Sequence, residues 1–238
     1  MQIIYISLLT ILASTIGTVT GFGTSTIMVP VLLLFFPLPQ TLLLVGIIHF
    51  FGDIWKLTLF KRKWLWKVLL GFGIPGVIAS FFGAKLIFSL PANLITKIIG
   101  GILVAYGIFI IINPVFKLAI NYLTSIIGGV TSGFLAGFGG VGGALRGLFL
   151  SAYDLPKSTY IFTSGAIAFA IDSTRITTYF ANGTRLDSLL TVGLLIFIPA
   201  SFMGAKIAQK IVSKISQRQL RITIAIFLLI VGVKLIFF

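Results

Sequence analysis

Long apolar stretches follow one another along almost the whole chain, and short polar or glycine-rich interruptions separate them. A helix needs about 20 residues to cross the hydrocarbon core of a bilayer, with about 17 as a practical minimum. Most of the stretches are this long, but two of them are shorter. The pattern therefore predicts an all-α polytopic membrane protein in which two helices are broken or re-entrant. The short stretches are 24–36 and 140–152, and the others are 1–17, 40–60, 65–88, 94–112, 119–136, 159–180, 188–209 and 219–238.

The two short stretches occupy matching places in two similar halves of the chain. Four features recur in the same order: a glycine-rich break, a proline after the short stretch, an acid three residues before a base, and Gly-Ala-Lys. This recurrence predicts two repeats, 1–116 and 117–238, of about five helical segments each within one transport domain. The features are Gly21-Phe22-Gly23, Pro39, Asp53 with Lys56, and Gly83-Ala84-Lys85 in the first repeat, and Gly137-Phe138-Gly139, Pro156, Asp172 with Arg175, and Gly204-Ala205-Lys206 in the second.

Composition agrees with a membrane protein and excludes several kinds of chemistry. Hydrophobic residues make up 58% of the chain and charged residues 9%, with a mean hydropathy of +1.17. Soluble domains carry about 25% charged residues. The chain has no cysteine, and His49 is its one histidine. Thiolate chemistry and a His-rich metal centre are therefore excluded, and we expect no metal, no cofactor and no enzymatic activity.

The charge is unbalanced, and its positions predict how the repeats lie in the membrane. Eighteen lysines and arginines stand against four aspartates, which gives a net charge of +14. Four bases lie in 61–67 and five in 206–221, whereas the corresponding loops of the other repeat carry little net charge. The positive-inside rule makes both basic loops cytoplasmic, so the repeats are inverted and both chain ends lie outside. The bases are thus expected to orient a multi-pass protein of the cell membrane, and not to bind nucleic acid.

The glycine-rich breaks predict an anion site. Glycine weakens a helix and permits positive φ, so each break should end one helix and start another. At a helix start the first N–H groups lack intrahelical partners and the dipole is positive, which favours an anion. Transporters built from inverted repeats bind substrate near the midplane at such discontinuous helices; the alternative is that the glycines only allow close packing. The candidates are Gly23, Thr24 and Ser25 in the first repeat and Gly139, Gly140, Gly142 and Gly143 in the second.

Arg146 is the strongest single candidate for a contact with the anion. It lies about one turn after the second break and has no acidic residue nearby in sequence. A charged side chain inside a span is costly and is a functional candidate by default. A guanidinium also presents paired donors in one plane, which suits an oxyanion. The alternatives are that Arg146 pairs with a distant aspartate or extends to the cytoplasmic edge of the membrane.

Further polar residues inside the predicted spans are candidates for coupling. The two acid and base pairs have i, i+3 spacing, so each is expected to neutralise itself, with direct substrate contact as the alternative. The histidine precedes one aspartate by four residues, which allows a proton relay or a histidine satisfied within the core. Two adjacent residues with hydroxyl groups are expected either to line the substrate pathway or to pack against neighbouring helices. These candidates are His49, Asp53, Lys56, Thr163, Ser164, Asp172 and Arg175.

Several of these motifs together resemble the TauE/SafE family of sulfite exporters. The resemblance rests on the duplicated Gly-Phe-Gly break, on Leu38-Pro39 and Leu155-Pro156, on Met28-Val29-Pro30 and on the two Gly-Ala-Lys motifs. It implies export of sulfite, or of a related small sulfur-containing anion such as an organosulfonate, across the cell membrane. Combined with the predicted anion site, it favours a secondary transporter that works by alternating access. The chain departs from the family pattern at Gly21-Phe22-Gly23-Thr24-Ser25, where a longer glycine run is usual, and at Leu145-Arg146, which replaces the Val29-Pro30 of the first repeat.

Two other functions remain as alternatives. An anion channel shares the composition and the helix breaks. An intramembrane aspartyl protease would use Asp53 and Asp172, but each aspartate has a base one turn away and neither follows a Gly-x-Gly sequence. The expected partners are a small anion as substrate and membrane lipid, with a second copy of the chain as a candidate for a homodimer.

Overall fold

A computed structural model describes residues 1–113, 118–119, 121–215 and 217–237, with the side chains of 217–221 excluded. The described residues form helices joined by turns and loops, without a strand. The predicted boundary between the repeats, at 116 and 117, lies outside the described residues. In chain order the helices are α1 Gln2–Thr20, α2 Ser25–Leu32, α3 Leu38–Leu59, α4 Trp66–Leu86, α5 Ala92–Ile112, α6 Tyr122–Gly139, α7 Gly142–Ala152, α8 Lys157–Ala181, α9 Ser188–Ile211 and α10 Gln217–Phe237.

Six helices in the described part of the chain are long and apolar enough to cross a membrane, namely α1, α3, α4, α5, α6 and α9. Helix α8 has 25 residues but is not among them. It contains Asp172, Arg175 and many hydroxyl residues, and both of these charged side chains are buried together with those of Thr163, Ser164 and Thr178. The predicted all-α multi-pass membrane protein is therefore confirmed, and its most polar long helix lies in the interior.

The two short segments are confirmed as short helices. Helix α2 has 8 residues and α7 has 11. At about 1.5 Å per residue both are far shorter than the roughly 30 Å hydrocarbon core, so neither crosses the membrane alone. Each follows a break at the end of a longer helix, α1 or α6. The prediction of broken helices at glycine-rich positions thus holds in both halves.

Helix packing follows the correspondence between the two halves. In the two halves, α1 corresponds to α6 and α4 corresponds to α9. Helix α1 packs against α9, and the corresponding pair, α6 and α4, also packs together. Likewise, α3 packs against α9, and the corresponding helices α8 and α4 pack together. Two further contacts join corresponding helices to each other, α3 to α8 and α5 to α10. An internal two-fold relation would produce this arrangement. The inverted orientation of the repeats stays a prediction.

The glycine of each Gly-Ala-Lys motif lies where two helices approach closely. A Cβ on Gly83 in α4 would collide with the carbonyl oxygen of Phe134 in α6. A Cβ on Gly204 in α9 would collide with that of Ile11 in α1. Small residues allow helices in membranes to approach to backbone contact. The repeated motif therefore has a packing role, which the sequence alone did not reveal.

The predicted basic loops differ in structure. Residues 61–65 form a loop before α4, and its basic side chains are exposed. In the segment 206–221, by contrast, Lys206 and Lys210 belong to the last turns of α9. The side chains of Arg218 and Arg221 lie outside the described residues. The second basic region therefore comprises the end of α9 and the start of α10, as expected for the end of one span joined to the next, and it is not a continuous loop like 61–65.

Candidate functional site

The two helix breaks meet inside the protein. Gly21 and Gly23 have φ values of 71° and 79°, and Gly140 has a φ of 67°. These left-handed conformations end α1 and α6 and allow α2 and α7 to begin within a few residues. At Gly143 the start of α7 lies directly against the carbonyl oxygen of Phe22 in the first break, with no room for a Cβ. The two helix starts predicted to form an anion site are thus in contact.

The first break is held by hydrogen bonds from three helices. The Tyr160 hydroxyl of α8 donates to the carbonyl oxygen of Thr20, and the Ser164 hydroxyl donates to that of Gly21 over 3.2 Å. Thr24 Oγ1 lies 3.2 Å from Ser14 Oγ of α1. Ser25 Oγ lies 3.2 Å from His49 Nδ1 of α3. The start of α2 is therefore fixed to α1, α3 and α8, which gives this part of the site a defined geometry.

Arg146 in α7 lies in the interior next to this break. Its side chain is only 1% exposed, and its Nε donates to Ser164 Oγ over 3.0 Å. Its Nη2 has no hydrogen-bond partner among the described residues. The described part of the chain contains no ion pair to Arg146, so it neither pairs with a distant aspartate nor extends to the membrane edge. A buried guanidinium with an unused donor group is suited to an anion.

Both predicted acid and base pairs form ion pairs in the core. Lys56 Nζ lies 2.7 Å from Asp53 Oδ1 in α3. Arg175 Nε lies 2.7 Å from Asp172 Oδ1 in α8. All four side chains are buried. Burying charged groups requires such pairing, because an isolated ion loses far more solvation energy than it regains.

His49 joins the two ion pairs. Its Nδ1 lies 2.7 Å from Asp172 Oδ2, and its Nε2 lies 3.6 Å from Asp53 Oδ1. The spacing of four residues predicted a shared face with Asp53. It could not predict the shorter contact with Asp172, which belongs to the other half of the chain. His49 therefore bridges the two halves.

Unpartnered donors converge on the breaks. A Cβ placed on Gly23 would lie 3.3 Å from Arg146 Nη2 and 2.7 Å from Cε1 of the His49 ring. A Cβ placed on Gly140 would lie 3.3 Å from Arg175 Nη1. Within the described part of the chain, both Nη atoms of Arg175 lack hydrogen-bond partners, as does Thr163 Oγ1. Each break thus has a buried guanidinium with free N–H groups beside it.

The structure does not bring all the candidates into this site. A Cβ on Gly139 would meet Ile99 of α5, and one on Gly142 would collide with the backbone of Ser132 in α6. These two glycines therefore serve helix packing, the alternative considered for the breaks. Thr163 is buried on α8, but no contact joins it to either break among the described residues. The candidates near the breaks are Gly23, Thr24, Ser25, His49, Arg146, Ser164 and Gly140, with Gly143 at the contact between them.

Two tyrosines were missed by the sequence reasoning. Tyr160 holds the first break, and the Tyr179 hydroxyl donates over 2.5 Å to the carbonyl oxygen of Gly137 at the end of α6. Along α8, Ser164 follows Tyr160 by four residues, and Asp172 follows Ser164 by eight. Arg175 follows Asp172 by three residues, and Tyr179 follows Arg175 by four. Residues at such intervals share one face of a helix. This periodicity was the signal that could have identified the inward face of α8.

The electrostatics of the cluster favour an anion over a cation. Ligand atoms of His49, Asp53 and Asp172 all lie within 4.8 Å of one another, close enough to share a metal ion. Both carboxylates, however, already accept from Lys56 and Arg175. With Arg146 these bases outnumber the two carboxylates. A divalent cation would therefore enter a site that already has excess positive charge.

Comparison with known proteins identifies a family. A family model described as "Sulfite exporter TauE/SafE" matches residues 6–235, nearly the whole chain. No curated protein matches the chain significantly.

Proposed function

The chain belongs to the sulfite exporter TauE/SafE family, and on that basis we propose that it exports sulfite or an organosulfonate across the cell membrane by alternating access. Membership implies a multi-pass membrane exporter of sulfite or a related sulfur-containing anion. Sulfite or an organosulfonate as the substrate, and alternating access as the mechanism, go beyond family membership. They are supported by the arrangement of buried donors at the two helix breaks.

One observation carries the proposal. Arg146 Nη2 is buried, has no hydrogen-bond partner in the described structure and lies beside Gly23, just before the start of α2. An unmade hydrogen bond of a buried charged group is costly, so its presence indicates a group that binds there during function. A sulfur oxyanion would accept from Arg146 and from the N–H groups at the helix start. The positive end of the α2 dipole adds to this attraction.

The closed state of the site agrees with alternating access. His49, Arg146 and Ser164 are each about 1% exposed, so the described site is buried. An anion can enter only if helices move apart. The contacts between halves, such as that of His49 with Asp172, lie where a movement of one half against the other would open the site. An inside-negative potential then favours exit of an anion, by about 2.3 kcal/mol per charge per 100 mV.

Counterflow in proteoliposomes tests this function. We expect vesicles loaded with sulfite to take up labelled sulfite from outside, because the same site would carry unlabelled sulfite out and labelled sulfite in. Uptake should saturate at high sulfite concentration, because each protein has a limited number of sites. Vesicles without the protein are the control. Conduction of ions in single-channel recordings without saturable counterflow would show a channel instead. Absence of any sulfite flux would contradict the proposal.

The proposed orientation can be tested by labelling, since the chain has no cysteine. Lys63→Cys places a thiol in the exposed loop before α4, and Ser188→Cys places one at the exposed start of α9. If the repeats are inverted as proposed, a reagent that does not cross membranes should label Ser188→Cys from outside in intact cells. Lys63→Cys should react only after the cells are opened. Labelling of both positions from the same side would contradict the inversion.

A further inference from the structure

The buried charges around the two breaks do not balance. Among the described side chains, the buried charged residues are Asp53, Lys56, Arg146, Asp172 and Arg175. Two of the bases are matched by the two aspartates in ion pairs of 2.7 Å. The charge of Arg146 is left over, and Arg146 is also the base whose Nη2 lies beside Gly23. The residues of the site therefore carry one uncompensated positive charge.

His49 does not change this balance. Its ring lies between the two carboxylates, with Nδ1 2.7 Å from Asp172 Oδ2 and Nε2 3.6 Å from Asp53 Oδ1. Its Nε2 is buried without a hydrogen-bond partner. A charged imidazole would lose its solvation in this buried position, which disfavours a second proton on the ring. The ring is therefore the neutral imidazole, and the site charge remains a single positive one.

From this balance we infer that the site selects anions by charge state and binds monoanions in preference to dianions. The inference rests on the proposed function and narrows its substrate class. A sulfonate carries one negative charge. Sulfite occurs near neutral pH as both the monoanion and the dianion, and the bound form is then hydrogen sulfite. A monoanion at Arg146 leaves the core neutral.

A dianion is disfavoured for an electrostatic reason. On binding it would leave one uncompensated negative charge among groups that are closed to water. Interactions between charges are strong in such an environment, and an unpaired buried charge is heavily penalised. The Asp53 and Asp172 carboxylates add repulsion close to the same breaks. Size gives much weaker discrimination, because sulfate and methanesulfonate are both tetrahedral around sulfur and similar in volume.

Equilibrium binding to the purified full-length protein tests the inference. Titration calorimetry at one pH and constant ionic strength would compare methanesulfonate and sulfamate, two monoanions, with sulfate, a dianion. We expect both monoanions to bind at least ~10-fold more tightly than sulfate, an affinity ratio that an excess buried charge readily exceeds. Sulfamate has no methyl group, so its agreement with methanesulfonate would show that charge, and not apolar contact, decides.

A pair of variants changes the site charge while keeping Arg146 in place. Asp53→Asn leaves Lys56 unmatched and adds one positive charge, so the preference should move at least ~10-fold toward sulfate. The double variant Asp53→Asn with Lys56→Met restores a single positive charge. It should return the preference to the monoanions. The two variants share the change at Asp53, so a difference between them reports the charge.

The outcomes separate this inference from the proposed function. Sulfate binding as tightly as methanesulfonate in the natural sequence, with sulfite counterflow present, would overturn the charge selectivity and leave the exporter function standing. Binding of none of the three anions, with no sulfite flux, would overturn both. An unchanged preference in Asp53→Asn, if that variant binds anions, would also overturn the inference.

Discussion

Replacing Arg146 with alanine should abolish saturable anion binding and lower sulfite counterflow by ~100-fold or more. Hydrogen bonds to a charged group contribute about 1.5–3 kcal/mol each, and two of them account for a loss of this size. The variant should nevertheless remain as stable as the natural sequence. No aspartate in the described part of the chain forms an ion pair with Arg146, so its removal leaves no carboxylate unmatched. Loss of binding without loss of stability distinguishes a substrate contact from a structural arginine.

Arg175→Ala is the matched control for this experiment. Arg175 is as deeply buried as Arg146, but it forms an ion pair with Asp172 at 2.7 Å. Its removal leaves a buried carboxylate without its base and should lower the free energy of unfolding by about 3–5 kcal/mol. Unfolding in detergent micelles and anion binding should both be measured for the two variants. Unchanged anion binding and flux in Arg146→Ala would refute the proposed site.

The features predicted correctly from sequence depend on residues close together in the chain. Asp53 with Lys56, and Asp172 with Arg175, are three residues apart on a helix, and this spacing alone brings their side chains together. The short helices α2 and α7 follow from glycines that end the preceding helix. Hydrophobicity is a property of the segment itself. Such features need no knowledge of how the helices pack.

The features missed depend on contacts between distant segments. His49 contacts Asp172, and Ser164 contacts both Arg146 and the carbonyl oxygen of Gly21, because helices from the two halves meet at the breaks. Nothing in the local sequence encodes these meetings. Contacts between helices also decide which glycines of the breaks pack against a neighbour and which border the site. Gly139 fits a neighbouring helix and Gly23 borders the candidate site, although both belong to the same repeated motif.

A series of glycine substitutions should separate the causes that keep Gly23 at the first break. A Cβ on Gly101 would have no described atom within 4 Å, and Gly101 lies inside helix α5. Because alanine favours a helix more than glycine does, Gly101→Ala should raise the free energy of unfolding by up to about 1 kcal/mol. Gly183 has a φ of +87° and also no atom within 4 Å of a Cβ, so alanine there costs only backbone strain, about 1–2 kcal/mol. Gly23 has a φ of +79° and lies against the His49 ring. Its replacement should cost a further ~1–3 kcal/mol from overpacking.

Anion binding should respond differently from stability in this series. The methyl group at Gly23 displaces the His49 ring and occupies space 3.3 Å from Arg146 Nη2, where the anion is proposed to bind. Gly23→Ala should therefore lose measurable binding of methanesulfonate, while Gly183→Ala and Gly101→Ala bind it as the natural sequence does. Since Gly183→Ala shares the positive φ but not the contact, it removes backbone strain as an explanation. If Gly23→Ala binds the anion as well as Gly183→Ala does, the space beside Gly23 is not the anion site.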